Sequence, residues 1–366
     1  NSSRSIFNLF KSSVTVGNFS SQLSSSSSSK NKLILNISGS PEIHSLGFID
    51  ISTNFEINST NKKFSNEIIR FNIQNSVDKL TWKLGKYRKT WGDVDGTSVL
   101  DIINPSKSIL NQSLPDAELS SRWLGEASFF SSRNTSQIFF SFGRDTTHVV
   151  NSTSGDSGSE IGFKSSFGIE RGELSFYLGS LFPRIGIINI ASGLSDSSRY
   201  NLLALSAHRD INNYLVKFDL ARKVNLKRST ATELVNDNRI DAAFGVEYAP
   251  SSHDQLNLTL EGSFWEDRYN NYYVLGSAGV LTERSKNLTY NFSYSRNTAN
   301  EKASTAISTG GNSSGSSFYL AGESTYSISD FTKIKANFLI LEAEPNDPGY
   351  LYDNSVWFNL GLTRYF

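Results

Sequence analysis

The feature that most constrains this chain is an alternation of apolar and polar residues with period two, which recurs along nearly its whole length. In the segment QLNLTLEGSF, residues Leu256, Leu258 and Leu260 fall on one face and polar residues on the other. Successive side chains of a β-strand point to opposite faces, so the pattern predicts strands with one apolar face and one wet face. Helical periodicity is nearly absent. The fold class is therefore all-β.

The connections between the predicted strands alternate in length. Short connections are predicted at 41–45, 76–77, 134, 170–172, 211–213, 250–253, 283–286 and 327–331, and mostly longer ones at 24–30, 58–65, 89–121, 147–158, 183–198, 225–237, 299–314 and 343–353. Only the connection at 266–270 is short where a long one is expected. Short turns at one end and long loops at the other are typical of outer-membrane barrels.

This alternation predicts a transmembrane antiparallel β-barrel of about eighteen strands, with short periplasmic turns and long extracellular loops. Residues 12–366 would form a single barrel, with a segment 271–282 among its strands. Residues 1–11 would form an N-terminal segment, either periplasmic or lumenal. The start of the chain has no long apolar run, so we expect an exported product that has lost its targeting segment.

Composition excludes several classes of function. The chain has 35 basic and 35 acidic residues, whereas nucleic-acid binding needs a basic surface, so no nucleic-acid partner is expected. It has no cysteine, which excludes disulfides and thiol-based metal or catalytic sites. Aromatic residues make up 12% of the chain, a high share for a polar sequence and one that suits the aromatic girdles of a barrel.

The last predicted strand, SVWFNLGLTRYF, alternates apolar and polar residues and ends at Phe366. It resembles the C-terminal signature of bacterial outer-membrane proteins, except that Arg364 stands where that pattern usually has an aromatic residue. The resemblance implies that Phe366 is an assembly signal read by the barrel-assembly machinery. It also implies the bacterial outer membrane as the location, with outer-membrane lipids and lipopolysaccharide as surroundings.

The longest connection, 89–121, is apolar for a loop and contains Trp91, Val99 and Leu100. An apolar loop rooted in a barrel is expected to fold inward, because irregular backbone at membrane depth is tolerated where it lines a cavity. Barrels of 16–18 strands enclose an aqueous lumen with room for such a loop. Glycines at 92 and 96 permit tight turns, and the Asn-Pro pair at 104–105 initiates another.

The stretch LGKYRKTWGDVDGTSVLDIINP resembles a poorly characterised family of bacterial outer-membrane barrels with a WG-x-x-DG-x-x-V-x-D-x-x-NP element. The matching positions are Trp91, Gly92, Asp95, Gly96, Val99, Asp101, Asn104 and Pro105. The match covers about twenty residues, and the rest of the chain matches only as a barrel. The resemblance implies passage or binding of small or amphipathic solutes, and no enzymatic activity.

We predict a pore constriction made by this loop and the wall that faces it. The loop would contribute Trp91, Asp93, Asp95 and Asp101, and the wall Lys79, Lys83 and Tyr87. Acids that face bases across a pore select solutes by charge and size. Four residues, Gly92, Gly96, Asn104 and Pro105, would shape the loop. Two other interpretations of the loop stay open: an extracellular lid, and a metal site formed by its aspartates.

The metal interpretation is the weaker one, because the later ligands of a calcium loop do not appear at the required spacing.

We expect no cofactor and no enzymatic activity. The favoured function is an outer-membrane porin or substrate channel for passive diffusion of small solutes. The alternative is a plugged structural or interaction barrel that binds other envelope proteins. A homo-oligomer is compatible with either function.

Overall fold

The computed structural model describes residues 10–23, 26–43, 47–58, 63–97, 99–100, 102–104, 121–142, 158–184, 186–189, 191–266, 272–275, 281–284, 287–298, 300–312, 317–343 and 354–366. The described strands are β1 Phe10–Leu23, β2 Ser26–Gly39, β3 Glu42–Ile43, β4 Gly47–Asn58, β5 Lys63–Val77, β6 Leu80–Tyr87, β7 Arg122–Phe130, β8 Asn134–Ser141, β9 Ile161–Ile169, β10 Gly172–Leu181, β11 Ile187–Asn189, β12 Leu194–Asp196, β13 Tyr200–Ile211, β14 Tyr214–Ser229, β15 Leu234–Tyr248, β16 Asp254–Trp265, β17 Tyr272–Leu275, β18 Leu281–Arg284, β19 Asn287–Asn297, β20 Ala303–Asn312, β21 Ser317–Ser329, β22 Thr332–Ala343 and β23 Ser355–Tyr365. No helix among these residues is long and apolar enough to cross a membrane.

One antiparallel sheet closes on itself to form the barrel. Nineteen strands belong to this sheet, and one of them, β3, is a two-residue strand in the turn before β4. The other eighteen pair with their neighbours in chain order, and β1 pairs with both β2 and β23. Closure leaves no open sheet edge, which is a requirement for a sheet that crosses a bilayer. The predicted count of eighteen strands is confirmed.

Two of the predicted strand assignments were wrong, and their errors cancel in the count. The described residues of the predicted strand 271–282 do not belong to the barrel sheet, since β17 and β18 pair with each other within the connection 266–286. Segment 299–314 was predicted as a loop, but it contains β20, which pairs with β19 and β21. The connection predicted at 266–270 is therefore part of a long connection, as the alternation of lengths requires. The predicted turn at 283–286 is also wrong, because 283 and 284 belong to β18.

The outer surface of the barrel is apolar, and the inner surface is largely polar. On β13, Leu203 is 56% exposed on the outside, while its neighbours Leu202 and Ala204 point inward and are buried. Leu178 of β10 and Leu360 of β23 are also among the exposed outward residues. A closed barrel with an apolar belt of this kind is suited to face lipid with its outside.

Two-residue turns with a left-handed residue lie at one end of the barrel, as predicted, but some connections at the other end that were predicted to be long are short: only 24–25 separate β1 from β2, and only 230–233 separate β14 from β15. Asp78, Arg171 and Asn212 adopt left-handed conformations with φ of 53°, 57° and 56° in the connections β5–β6, β9–β10 and β13–β14. Turns with positive φ match the twist of the strands they connect. The longest connection, 88–121, emerges from the opposite end.

Candidate functional site

The connection between β6 and β7 enters the barrel and packs against its inner wall. Its described apolar side chains are all at most 5% exposed: Trp91, Val94, Val99, Leu100, Ile102 and Ile103. They form one cluster with inward-facing wall residues that include Leu124, Phe139 and Tyr177. The main apolar cluster of the described residues therefore lies inside the barrel, where the sequence predicts an inward-folded loop.

Trp91 is the aromatic anchor of the loop. Its ring centroid lies 5.0 Å from that of Phe139 on β8 and 5.2 Å from that of Tyr177 on β10. Both wall rings are almost fully buried. Gly162 on β9 leaves space for the indole, because a Cβ at that position would collide with Phe139 and Trp91. The wall is thus shaped to receive this side chain.

Asp219 on β14 holds the backbone of the loop. Its carboxylate accepts hydrogen bonds from the backbone nitrogens of Asp93, at 3.0 Å, and Val94, at 3.2 Å. One residue earlier, the Gly92 nitrogen donates to the Tyr177 hydroxyl at 3.3 Å. Asp219 is 1% exposed, and hydrogen bonds to a charged, desolvated acceptor are among the stronger ones in proteins.

The conformation of Gly92 allows this attachment. Its φ is +86°, and a Cβ there would lie 2.6 Å from Asp219 Oδ2 and 2.8 Å from Leu100 Cβ. Gly96 has a φ of +74°, but a Cβ would meet only Asn291 Nδ2, at 3.9 Å. Both glycines therefore have the left-handed backbone conformation that favours glycine, but only Gly92 also lacks space for a Cβ.

We expect Gly92→Ala to loosen the loop far more than Gly96→Ala. Both changes place a Cβ in the left-handed region, at a cost of about 1–2 kcal/mol. Only the change at Gly92 also pushes the Asp219 carboxylate away from the backbone nitrogens it accepts from. The measurement is the rate of protease cleavage within the loop of the folded barrel. Equal protection in the two variants would contradict the role given to Asp219.

Two of the predicted acids face basic side chains on the inner wall. Asp93 Oδ2 lies 3.3 Å from His208 Nδ1 on β13, without the alignment of a hydrogen bond. Asp95 Oδ2 lies 2.6 Å from Lys217 Nζ on β14, and Lys217 also contacts Glu247. The Asp95 side chain is 85% exposed. The basic residues that face these acids, His208 and Lys217, are thus different from the predicted lysines.

The predicted wall residues lie apart from the acids. Lys79 is not on the wall: it is exposed in the two-residue turn before β6, which begins at Leu80. That turn interrupts the alternation from which the prediction was made. Lys83 and Tyr87 do point inward, with Lys83 Nζ 4.3 Å from the centre of the Tyr87 ring. The structure therefore does not bring Lys79 or Lys83 together with Asp93 and Asp95.

The two ends of the described loop are tied together at the wall. The side chain of Asn104 accepts a hydrogen bond at Oδ1 from the backbone nitrogen of Lys89, at 3.0 Å. Its Nδ2 donates to the backbone oxygen of Lys89, at 2.8 Å. Arg122 at the start of β7 donates to the Ile103 oxygen at 2.9 Å and pairs with the buried Glu160. Asn104 therefore holds the two ends of the described loop together through its side chain, besides standing before Pro105 in the sequence.

Lys89 connects the loop to β7. Its Nζ lies 2.8 Å from Glu126 Oε2 and 3.4 Å from Gln137 Oε1. Burial lowers the pKa of this ammonium, and the positive charges of Lys164 and Lys83 act in the same direction. Glu126 opposes the shift.

The structure does not describe three of the predicted residues or segments. Asp101 and Pro105 lie outside the described residues, as do residues 1–9 of the N-terminal segment. Phe366 is 69% exposed, and its nitrogen donates to the Ser12 oxygen of β1 at 2.9 Å.

The sequence analysis missed the wall residues that hold the loop: Asp219, Tyr177, His208 and Lys217. A signal existed for Asp219. In the segment 218–220, FDL, an acid stands between two apolar residues of an alternating strand and so had to face the lumen. Its partners belong to a loop more than a hundred residues away, and no local pattern names them.

No family model and no curated protein matches the sequence. Several solved outer-membrane porins of Pseudomonas aeruginosa match the fold. OccD3 (OpdP) matches with a TM-score of 0.60 and 12% identity over 98% of this chain and 91% of that one. OccK2 (OpdF), in complex with glucuronate, matches with a TM-score of 0.59 and 11% identity over 98% of both chains. The outer-membrane protein OpdK matches with a TM-score of 0.57 and 10% identity over 98% of both. The chain therefore has the fold of outer-membrane porins.

Proposed function

We propose that the protein is a diffusion channel of the bacterial outer membrane, with a pore for small solutes that the loop 89–121 narrows. The observation that carries the proposal is the attachment of this loop along the inner wall. Its contacts run from Glu126 on β7, through Tyr177 on β10, to Asp219 on β14. A loop held in this way occupies part of a lumen that is otherwise wide enough for water and solutes.

The wall beyond the reach of these contacts supports a water-filled passage. Its inward-facing residues are charged and partly exposed, as in the pair of Lys32 and Glu56 at 2.8 Å and that of Lys335 and Glu323 at 2.8 Å. Polar interiors are typical of barrels that hold an aqueous channel. The fold supports the same function, since it is shared with OccK2, solved with glucuronate, and with OpdK, solved with vanillate.

Within this channel Trp91 acts as the anchor of the constriction, and Asp93 and Asp95 carry acidic groups at its edge. Asp95, with its exposed carboxylate, is the better placed of the two to meet a solute. The C-terminal residue Phe366 and its strand support recognition by the barrel-assembly machinery.

A reversible crosslink tests whether the loop narrows the pore. A Cβ built on Gly245 lies 3.9 Å from the Cβ of Val94, within the range of about 3.5–4.5 Å that disulfides require. Because the chain has no cysteine, Val94→Cys/Gly245→Cys would introduce the only pair. We expect discrete single-channel steps in planar bilayers, complete disulfide formation, and the same conductance before and after reduction.

The Gly245→Cys single variant is the control for effects of the new side chain. A conductance that falls on oxidation would place the open-state loop away from β15 and contradict the proposal. Silent bilayers from a folded, heat-modifiable barrel would contradict the channel itself and favour the plugged, partner-binding alternative.

A further inference from the structure

The inner wall formed by β21 to β23, beyond the described contacts of the loop, carries a tryptophan beside two asparagines. Asn359 on β23 stands opposite Asn337 on β22, and Trp357 lies two residues before Asn359 on the same strand. Val356 and Phe358 face outward and are 42% and 46% exposed, so the alternation turns Trp357 and Asn359 toward the lumen. Both lumenal side chains are partly exposed there.

The two carboxamides have no partner of their own. Among the residues that the structure describes, none makes a hydrogen bond with the side chain of Asn337 or Asn359, and Asn359 Oδ1 is buried near Gly17 of β1. Another opposed pair, Asn36 on β2 and Asn54 on β4, is joined by a hydrogen bond of 2.7 Å. A carboxamide has both donors and an acceptor, so the β22–β23 pair keeps its hydrogen-bonding capacity for a molecule in the lumen.

The charged groups beside the asparagines are paired with each other. Glu323 on β21 stands opposite Asn337, and Lys335 precedes Asn337 by two residues on the same face of β22. Lys335 Nζ lies 2.8 Å from Glu323 Oε2, and the two side chains are 47% and 40% exposed. Lys333 lies further along this face, with its Nζ 5.7 Å from the centre of the Tyr365 ring. The wall around the asparagines therefore offers polar groups whose charges cancel, and it has little field to attract an ion.

We propose that Trp357, Asn337 and Asn359, flanked by the pair of Glu323 and Lys335, form a binding site for an uncharged sugar. The inference rests on the proposed channel function and names the class of its solute. A sugar ring has an apolar C–H face, which packs against the indole, and hydroxyl groups that both donate and accept hydrogen bonds to the carboxamides. The site extends over three neighbouring strands, about 10 Å, a width that suits a mono- or disaccharide.

Interruptions of the single-channel current by added sugar test the proposal, with trehalose as the probe. We expect trehalose to interrupt the wild-type current with a saturating concentration dependence. Trp357→Ala should raise the half-saturating concentration about tenfold, because the sugar loses its aromatic contact. Asn337→Ala should raise it about fivefold, the effect of one hydrogen bond.

Two variants control for changes in the wall that are unrelated to the site. Asn257→Ala removes a lumenal carboxamide on β16 that is bonded to Ser293 Oγ at 3.3 Å, and it should leave the half-saturating concentration unchanged. Trp357→Phe keeps an aromatic ring and should bind trehalose nearly as well as the wild type. If Trp357→Ala does not assemble, the comparison of Asn337→Ala with Asn257→Ala decides the same question.

Glucose and glucuronate, which differ by one carboxylate, test the charge class. Glucose should interrupt the wild-type current at concentrations no higher than glucuronate does. Tighter binding of glucuronate, step currents that no sugar affects, or equal interruption in Asn337→Ala and Asn257→Ala would overturn the sugar site while leaving the channel intact. Silent wild-type bilayers would overturn both.

Discussion

Replacing Asp219 with alanine should release the loop from the wall and raise the single-channel conductance about twofold or more, as the freed loop leaves the lumen. The change removes the acceptor of two backbone hydrogen bonds, from Asp93 and Val94. Hydrogen bonds to a charged group are worth about 1.5–3 kcal/mol each, so their loss outweighs any single remaining polar contact of the loop tip. The measurement is single-channel conductance in a planar bilayer at fixed salt.

Two further variants separate loop release from loss of charge. Asp219→Asn removes the charge but keeps one oxygen as an acceptor, and it should change the conductance much less than alanine. Asp210→Ala, on β13 beside the exposed turn, is the matched control and should have no effect. If asparagine widened the pore as much as alanine, the lost charge rather than the lost attachment would be the cause.

The crosslink between positions 94 and 245 provides a rescue. In the Asp219→Ala background, Val94→Cys/Gly245→Cys should restore the narrow conductance when oxidised and the wide one after reduction. A wide pore in the oxidised triple variant would contradict the link between loop position and pore size.

Replacing Trp91 with alanine should have the second large effect. The indole is 4% exposed and packs against Phe139 and Tyr177, and removal of a buried aromatic side chain costs about 3–5 kcal/mol. The hydrogen-bonded ladder of the barrel remains, so the variant should still assemble. We expect faster protease cleavage in the loop and a lower temperature for the heat-induced gel shift.

Trp123→Ala is the matched control for this change. Trp123 lies on β7 and is 48% exposed, so its removal creates no cavity in the lumen. It should leave protease protection of the loop close to that of the wild type. Equal effects of the two substitutions would show that the Trp91 packing does not hold the loop.

The missed barrel strand β20 has a physical cause. Segment 303–312, ASTAISTGGN, is rich in Ser, Thr and Gly and has one large apolar side chain, Ile307, so it carries almost no alternation signal. It is still a barrel strand, because its backbone pairs with β19 and β21 on both sides. Strand formation there depends on neighbours, which hydrophobic periodicity does not report.

Only part of the candidate site could be predicted from the sequence, because its wall residues are also defined by distant neighbours. The apolar content of the loop indicated an inward fold, and the loop residues Trp91, Asp93 and Asp95 were proposed from local sequence. Their partners were not, because Asp219, His208 and Lys217 are brought to the loop by strands that follow much later in the chain. The prediction of Lys79 failed because a turn of two residues shifts a side chain out of the alternating pattern.

The sequence by itself determined the all-β class, the barrel and the inward direction of the longest loop. These properties follow from period-two alternation and from the lengths of connections, both of which are local. Only the tertiary structure decided which strands close the barrel and which wall residues hold the loop. Such contacts depend on the register of strands distant in the chain, and register is set by the closed sheet as a whole.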